Sequence, residues 1–178
     1  MSGRVLRRIL LGEFCGKSAL ENRMTFEELL QEDGRLVYRT RGVSMEPMLR
    51  QNRDLVVIEV PAARLKKYDV ALYKRGTSYV LHRVVGVKRD HYLIRGDNTY
   101  ALETVPDSAV LGVLTAFQRK GKKHSVTDRG YRCYVRFWNA IYPLRALQAR
   151  CRGLAVGIAR RLGLLPMLRR MLRRERPS

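Results

Sequence analysis

Short runs with the composition of β-strands fill the middle of the sequence and constrain the fold more than any other feature. They are rich in β-branched and aromatic residues and occupy residues 36–40, 54–60, 69–73, 79–87, 92–94 and 110–117. Turn-forming residues such as Pro47, Pro61 and Gly76 separate them. Strands this short and evenly spaced, with no helical pattern between them, are typical of mainly β domains. The sequence therefore predicts a mainly β, compact and coiled β-fold over residues 35–118.

A short helical segment is predicted before the strands, over residues 1–34. The spacings Ser18-x-x-Glu21 and Thr25-x-x-Glu28 both fit capping boxes, in which two residues satisfy free backbone groups at a helix start. Gly34 supplies a helix stop signal. These signals predict short helices that pack on the core.

The remaining residues, 119–178, read as a basic helical tail. Residues 119–124 have the composition of a solvated basic linker. An amphipathic helix with an aromatic face is expected next, from spacings of three and four residues between Tyr131, Tyr134, Val135, Trp138, Ile141 and Tyr142. After Pro143, the glycines at 153, 157 and 163 predict a more broken helical region.

Most of the positive charge lies in this tail. Residues 119–178 carry 17 Lys+Arg against 2 Asp+Glu, whereas residues 1–118 carry 19 against 14. Aromatic residues beside arginines, such as Trp138, are typical of proteins that dock on an anionic membrane surface. The arginine pairs also fit nucleic-acid phosphates. The residues alone leave both partners open, with an ordinary solvated helix as the plain alternative; the family resemblance given below ranks the membrane surface first.

Several classes of protein are disfavoured. The three cysteines, Cys15, Cys133 and Cys151, are odd in number and lack metal-ligand spacing, so neither a disulfide framework nor a zinc site is expected. Arg7 and Arg8 interrupt the apolar residues near the start, and no window approaches the ~20 apolar residues that span a bilayer. We therefore expect no signal peptide and no transmembrane helix, and a cytoplasmic or peripherally membrane-associated location.

Three stretches could carry chemistry when taken together. Ser44 stands in the turn-like sequence Gly42-Val-Ser-Met-Glu-Pro47, His82 lies within a strand-like run, and Asp97 lies in Gly96-Asp-Asn98. A serine hydroxyl becomes a nucleophile when a base is within hydrogen-bond reach, and a histidine base works best when a carboxylate orients it. Each residue alone has a plainer explanation, as a turn serine, a packing histidine or a turn aspartate.

In their order and separation these stretches resemble the serine peptidase superfamily that unites signal peptidase I with the LexA-type repressors. The resemblance covers about residues 36–116 and is closest to the histidine-based signal peptidase branch, because His82 stands where most bacterial members have lysine. It implies that Ser44 is the nucleophile and that His82 is the general base and acid. The orienting carboxylate is either Asp97 or Glu103, which lies six positions later.

The resemblance also implies a polypeptide substrate, bound as an added strand along residues 38–43 and 79–84, and no metal or organic cofactor. The oxyanion of the intermediate would be bound by backbone donors, since Gly42 stands where signal peptidases often carry a hydroxyl. The expected function is a serine endopeptidase that cleaves a leader-like, signal-like or regulatory polypeptide. The alternatives are a non-catalytic or self-cleaving regulator that binds nucleic acid or a membrane surface through the arginine-rich tail, and a degenerate peptidase fold that serves as a membrane scaffold.

Overall fold

The computed structural model describes residues 25–161 and residue 163. The chain divides into two compact units, with the boundary between Cys133 and Tyr134. All of the described β-strands belong to the first unit.

Helix α1 (Phe26–Asp33) precedes the sheet and shows the predicted capping box in full. The Thr25 hydroxyl accepts a hydrogen bond from the Glu28 N–H, and the Glu28 carboxylate accepts one from the Thr25 N–H. Gly34 ends the helix in the left-handed conformation, at φ 64°. This predicted helix is therefore confirmed, whereas the predicted capping box at Ser18 lies outside the described residues.

Eight antiparallel strands form one sheet, which confirms the prediction of a mainly β protein. Seven follow the order β1-β2-β7-β3-β4-β5-β6, and the eighth, β8, pairs with β7. Their bounds are β1 (Arg35–Arg39), β2 (Leu55–Glu59), β3 (Val70–Arg75), β4 (Ser78–Val87), β5 (His91–Arg95), β6 (Glu103–Pro106), β7 (Val110–Arg119) and β8 (Lys122–Ser125).

Strand β8 corrects the predicted linker at residues 119–124. Arg119 pairs with Lys122, so the connection is a two-residue hairpin of Lys120 and Gly121. Both residues have positive φ, 50° and 78°, as the tightest hairpin turns require. The sequence did not predict this hairpin because lysine has a low strand propensity. Strand β8 forms because it pairs with β7.

The main cluster of buried side chains packs on strands β3, β4 and β5. Its buried members are Leu65, Ala71, Tyr73, Val84, Tyr92, Ile94 and Val105. Register shifts in the β2–β7, β3–β7 and β4–β5 pairings mark bulges, which increase the local twist of the strands. One core residue, Tyr73, extends its hydroxyl from this cluster to His82 and Glu103.

Two helices end the described chain, α2 (Arg129–Ala140) and α3 (Tyr142–Arg161), as the predicted helical tail requires. In the second unit the Trp138 ring stacks on Tyr134, and the Arg145 guanidinium lies 3.7 Å from its centroid. The breaks expected at Gly153 and Gly157 are wrong, because α3 runs through both. A single glycine costs a helix only about 1 kcal/mol, which good helix formers on either side offset. Within the described residues, no helix combines the length and apolar character needed to cross a membrane.

Candidate active site

The loop between β1 and β2 carries Ser44 on an apolar base. Its turn is closed by a hydrogen bond from the Glu46 N–H to the Val43 carbonyl, and the Glu46–Pro47 peptide bond is cis. Gly42 adopts φ 82°, a conformation that favours glycine. The apolar side chains that follow Ser44 are buried: Met45, Met48 and Leu49. Ser44 itself is partly exposed, on a loop whose apolar side chains are packed beneath it.

Buried Asp54 anchors the far end of this loop. Its carboxylate accepts a hydrogen bond of 2.9 Å from the Arg50 N–H and forms a salt bridge with Arg53. The backbone N–H of Thr40 donates to the Asp54 carbonyl across the base of the loop. These contacts close the loop at both ends and fix where the turn containing Ser44 lies.

Asn98 binds the same turn from the opposite side. Its backbone N–H donates to the Ser44 carbonyl at 2.7 Å, and its side-chain amide donates to the Val43 carbonyl at 3.3 Å. The triplet that follows β5 is therefore attached to the Ser44 loop. In the sequence Gly96-Asp97-Asn98 has the composition of an ordinary turn. In the structure Asn98 joins two distant segments of the chain.

His82 projects from β4 into this junction, and its ring is buried. Nδ1 lies 3.3 Å from the Tyr73 hydroxyl and 3.4 Å from Oε1 of Glu103. Nε2 lies on the other side, close to Gly96 and the Ser44 main chain. A Cβ atom placed on Gly96 would be 3.1 Å from Nε2 and 2.7 Å from the Ser44 carbonyl oxygen. The two ring nitrogens thus face a carboxylate and the serine loop respectively.

Glu103, the first residue of β6, is held by two donors from β3. Oε2 accepts a hydrogen bond of 2.8 Å from the Tyr73 hydroxyl, and Oε1 accepts one of 3.0 Å from Arg75. Tyr73 and Arg75 are two residues apart, so a strand places both on the same face. Because the Tyr73 hydroxyl donates to Glu103, it is free to accept from Nδ1–H of His82, which leaves Nε2 without a proton.

Electrostatics in this group favour a neutral histidine beside an ionised carboxylate. Burial lowers the pKa of His82, although the negative charge of Glu103 opposes that shift. Burial alone would raise the pKa of Glu103, but the Tyr73 hydrogen bond and the positive charge of Arg75 outweigh it and lower that pKa. The site thus contains a free imidazole nitrogen and an anionic orienting group near neutral pH.

Asp97 forms a buried ion pair with Arg83 instead. Both carboxylate oxygens accept hydrogen bonds of 2.7 Å from the guanidinium, and the two side chains are only 3% and 1% exposed. The remaining Arg83 donors reach the Tyr68 carbonyl, the Tyr131 hydroxyl and the Met48 sulfur. Burial disfavours the charged form of Arg83 and would lower its pKa. The negative charge of Asp97 outweighs this effect and raises the pKa of Arg83 above its usual range. Asp97 therefore ties the triplet after β5 to β4 and to the Ser44 loop.

The structure places Nδ1 of His82 beside Glu103 and Nε2 near the backbone of the Ser44 loop, and it places Asp97 in the adjoining ion pair. The sequence left the choice between Asp97 and Glu103 open, and the geometry puts Glu103 at Nδ1 of His82. Sequence reasoning missed the supporting roles of Tyr73, Arg75, Arg83, Asn98 and Tyr131. The available signals were the alternation of Tyr73 and Arg75 along one strand, and the positions of Arg83 and Asn98 beside His82 and Asp97 in the motifs.

The described residues contain no group of three or more His, Cys, Asp or Glu that could hold a metal ion. The chain matches no protein-family model and no curated protein sequence. The function proposed below therefore depends on the geometry of the site and on the sequence motifs.

Gly96→Ala is expected to destabilise the protein by about 1–3 kcal/mol, the usual cost of overpacking. The new methyl group would lie 2.7 Å from the Ser44 carbonyl oxygen, a backbone atom that other bonds hold in place, and 2.9 Å from the Thr99 hydroxyl. Equilibrium urea denaturation measures the loss. Gly130→Ala is the matched control, because its Cβ would meet nothing within 4 Å. Equal stability of the two variants would show that the junction at Gly96 is loosely packed.

Proposed function

We propose that the protein is a serine endopeptidase whose mechanism is similar to that of the histidine-based signal peptidases, with Ser44, His82 and Glu103 as its catalytic group. One observation carries the proposal: His82 lies between Glu103 and the Ser44 loop, with Nδ1 facing the carboxylate and Nε2 facing the loop. A general base that activates a serine needs this polarity, since one nitrogen takes the proton while the other is oriented by an acid. The proposal includes the coiled β-fold of that superfamily. The eight-stranded antiparallel sheet is compatible with such a fold.

The chemistry follows from the two nitrogens of His82. As Ser44 Oγ attacks the carbonyl carbon of the scissile bond, its proton passes to Nε2. The tetrahedral intermediate then loses the amine, which takes that proton as the C–N bond breaks, and an ester to Ser44 remains. Water attacks the ester with Nε2 accepting its proton, and that proton returns to Ser44 when the acid product leaves. Glu103 stabilises the imidazolium ion in both halves without changing its own protonation.

Backbone N–H groups would bind the oxyanion. The Ser44 N–H makes no hydrogen bond within the described part of the chain, and it lies in a turn that the Asn98 and Asp54 contacts hold in place. Preorganised donors stabilise a developing negative charge because they need no reorientation during the reaction. Asp97 supports this arrangement through Arg83, as a positioning residue.

The sheet offers two free strand edges for an extended polypeptide substrate. Strand β1 ends the sheet, so one of its edges has no strand partner among the described residues. Strand β4 pairs with β5 only from Arg83 onward, which leaves the edge of residues 78–82 open in the described sheet. The Phe26 ring contacts both Tyr38 of β1 and Tyr79 of β4, at centroid distances of 5.1 and 4.6 Å. A substrate strand pairing with these edges would run past His82 and Ser44.

The test is a cleavage profile of a diverse peptide mixture, read by mass spectrometry, with the parent protein and with Ser44→Ala. Cuts made only by the parent support the proposal, and the residues beside them define the side chains that the site accepts. Identical profiles with parent and variant would overturn it. The proposal would also be overturned if the parent cut no peptide in the mixture and also failed to cut a larger, folded protein substrate that carries an extended segment.

Glu103→Gln is expected to lower kcat/KM by about 10²–10⁴-fold, as loss of the orienting carboxylate does in serine peptidases. His82 must be neutral to act as a base, so kcat/KM rises with pH through its pKa, which burial places below the ordinary value of about 6.5. Removing the negative charge of Glu103 lowers that pKa further, so the acid limb moves to lower pH. Rates measured across the acid range locate this limb.

Glu59→Gln is the matched control, because Glu59 of β2 forms an exposed ion pair with Arg35 of β1, away from His82. Its rate and acid limb should equal those of the parent. An unchanged acid limb in Glu103→Gln would contradict the assignment of Glu103 as the orienting carboxylate.

A further inference from the structure

Helix α3 exposes a continuous row of apolar side chains. Spacings of three, four, three and four residues place them on one face of the helix. This apolar stripe consists of Leu144, Leu147, Cys151, Leu154 and Ile158. Its four aliphatic members are between 58% and 70% exposed, and Cys151 is exposed as well. A face of this kind favours a partner that removes it from water.

Arginines flank the stripe on both sides. At 100° per residue, Arg150 and Arg161 lie directly beside it on one side, while Arg152 and Arg145 lie further round the helix on the other side, beyond a strip of small and polar residues. Helix α3 contains no acidic residue. A partner that covers the stripe must therefore accept apolar side chains at its centre and offer negative charge on both sides.

Charge decides between the candidate partners. A second copy of α3 would bring arginines against arginines, and like charges in close contact oppose association. Nucleic acid would satisfy the arginines through its phosphates, but it would leave the apolar stripe in water. An anionic lipid surface satisfies both, because the stripe enters the boundary of the acyl chains while the arginines meet the headgroups.

We infer that α3 docks in the plane of an anionic membrane surface, with its apolar stripe in the lipid and its flanking arginines on the headgroups. The inference is independent of peptidase activity, since none of these residues belongs to the catalytic group. It specifies the partner as a bilayer that carries acidic headgroups. Long arginine side chains suit this position because their apolar stems cover lipid while the guanidinium reaches the headgroups.

Vesicle flotation with the full-length chain tests the inference. The probes are vesicles of phosphatidylcholine with phosphatidylglycerol and vesicles of phosphatidylcholine alone. The parent should float with the acidic vesicles and bind the neutral ones at least tenfold more weakly. Leu147→Gln/Leu154→Gln, which keeps the net charge, should lower binding to acidic vesicles at least tenfold, and Arg150→Gln/Arg152→Gln should do the same.

Matched controls carry the same changes elsewhere. Val60→Gln/Val87→Gln replaces two exposed apolar residues of the first unit, and Arg35→Gln/Arg89→Gln removes two exposed arginines. Both should bind like the parent, and circular dichroism confirms that every variant is folded. The Ser44→Ala variant should also bind like the parent, which separates this test from that of the proposed function.

Three results would overturn the inference: failure of the parent to float with acidic vesicles, equal flotation of the parent and the stripe variant, or equal flotation of the parent and the arginine variant. Light scattering and DNA retention identify the replacement. A dimer that the stripe variant abolishes would indicate self-association, and salt-sensitive DNA retention that the arginine variant abolishes would indicate nucleic acid.

Discussion

Replacing Ser44 by alanine is expected to lower kcat/KM for peptide cleavage at least about 10³-fold, since removal of a catalytic serine leaves only binding and oxyanion stabilisation. The alanine removes the attacking oxygen while the contacts of Asn98 with the backbone of residues 43 and 44 remain. The fold should therefore be unchanged, and the loss should appear in kcat with little change in KM. Steady-state rates on the best peptide from the cleavage profile measure both.

His82→Ala should cause a loss of similar size, and the double variant should be no slower than either single variant. Residues that act as one unit in a reaction show this non-additivity. Ser108→Ala and His91→Ala are the matched controls, because Ser108 is exposed in the turn before β7 and His91 begins β5, both outside the site. Independent, additive losses at Ser44 and His82 would mean that the two side chains do not share a proton.

Asp97→Ala is expected to lower the free energy of unfolding by about 3–5 kcal/mol, the usual cost of removing one partner of a buried ion pair. The variant leaves the Arg83 guanidinium, which is 1% exposed, without its anion in a site that excludes water. The free energy of unfolding of a small domain is about 5–15 kcal/mol, so a loss of this size removes much of the stability of the protein. Equilibrium urea denaturation followed by circular dichroism gives the value.

Asp107→Ala provides the comparison, because Asp107 pairs with Arg64 where both side chains are about 40% exposed. Exposed pairs contribute about 0–1 kcal/mol, so its effect should be small. If Asp97→Ala fails to fold, the Arg83→Met/Asp97→Ala variant removes the charge as well and should recover part of the stability. Similar losses for Asp97→Ala and Asp107→Ala would show that water reaches Arg83.

The two acidic residues should therefore give different phenotypes. Glu103→Gln is expected to slow the reaction and move the acid limb, because Glu103 faces His82. Asp97→Ala is expected to destabilise the fold, because Asp97 binds Arg83. A single assay cannot separate these roles, whereas rate and unfolding energy together do.

Local patterns were enough to predict several features. The capping box at Thr25 and the stop at Gly34 predicted α1 because both act within one helical turn. Alternating β-branched and aromatic residues predicted most of the strands. Strand propensity and the two-residue period of side chains are also local, because they depend only on neighbouring residues. Strands β6 and β8 were missed because pairing with β5 and β7 forms them against weak local propensity.

The sequence by itself determined the mainly β class, the helix before the sheet and the helical tail, and it singled out Ser44 and His82 as candidates. Only the tertiary structure decided which carboxylate faces His82, that Arg83 is a buried ion-pair partner, and that Gly96 lies against both the Ser44 carbonyl and the His82 ring. These contacts join residues 14 to 52 positions apart, and strand order and register place them. No local pattern encodes the distance between two such side chains, because it depends on how every intervening strand pairs and packs.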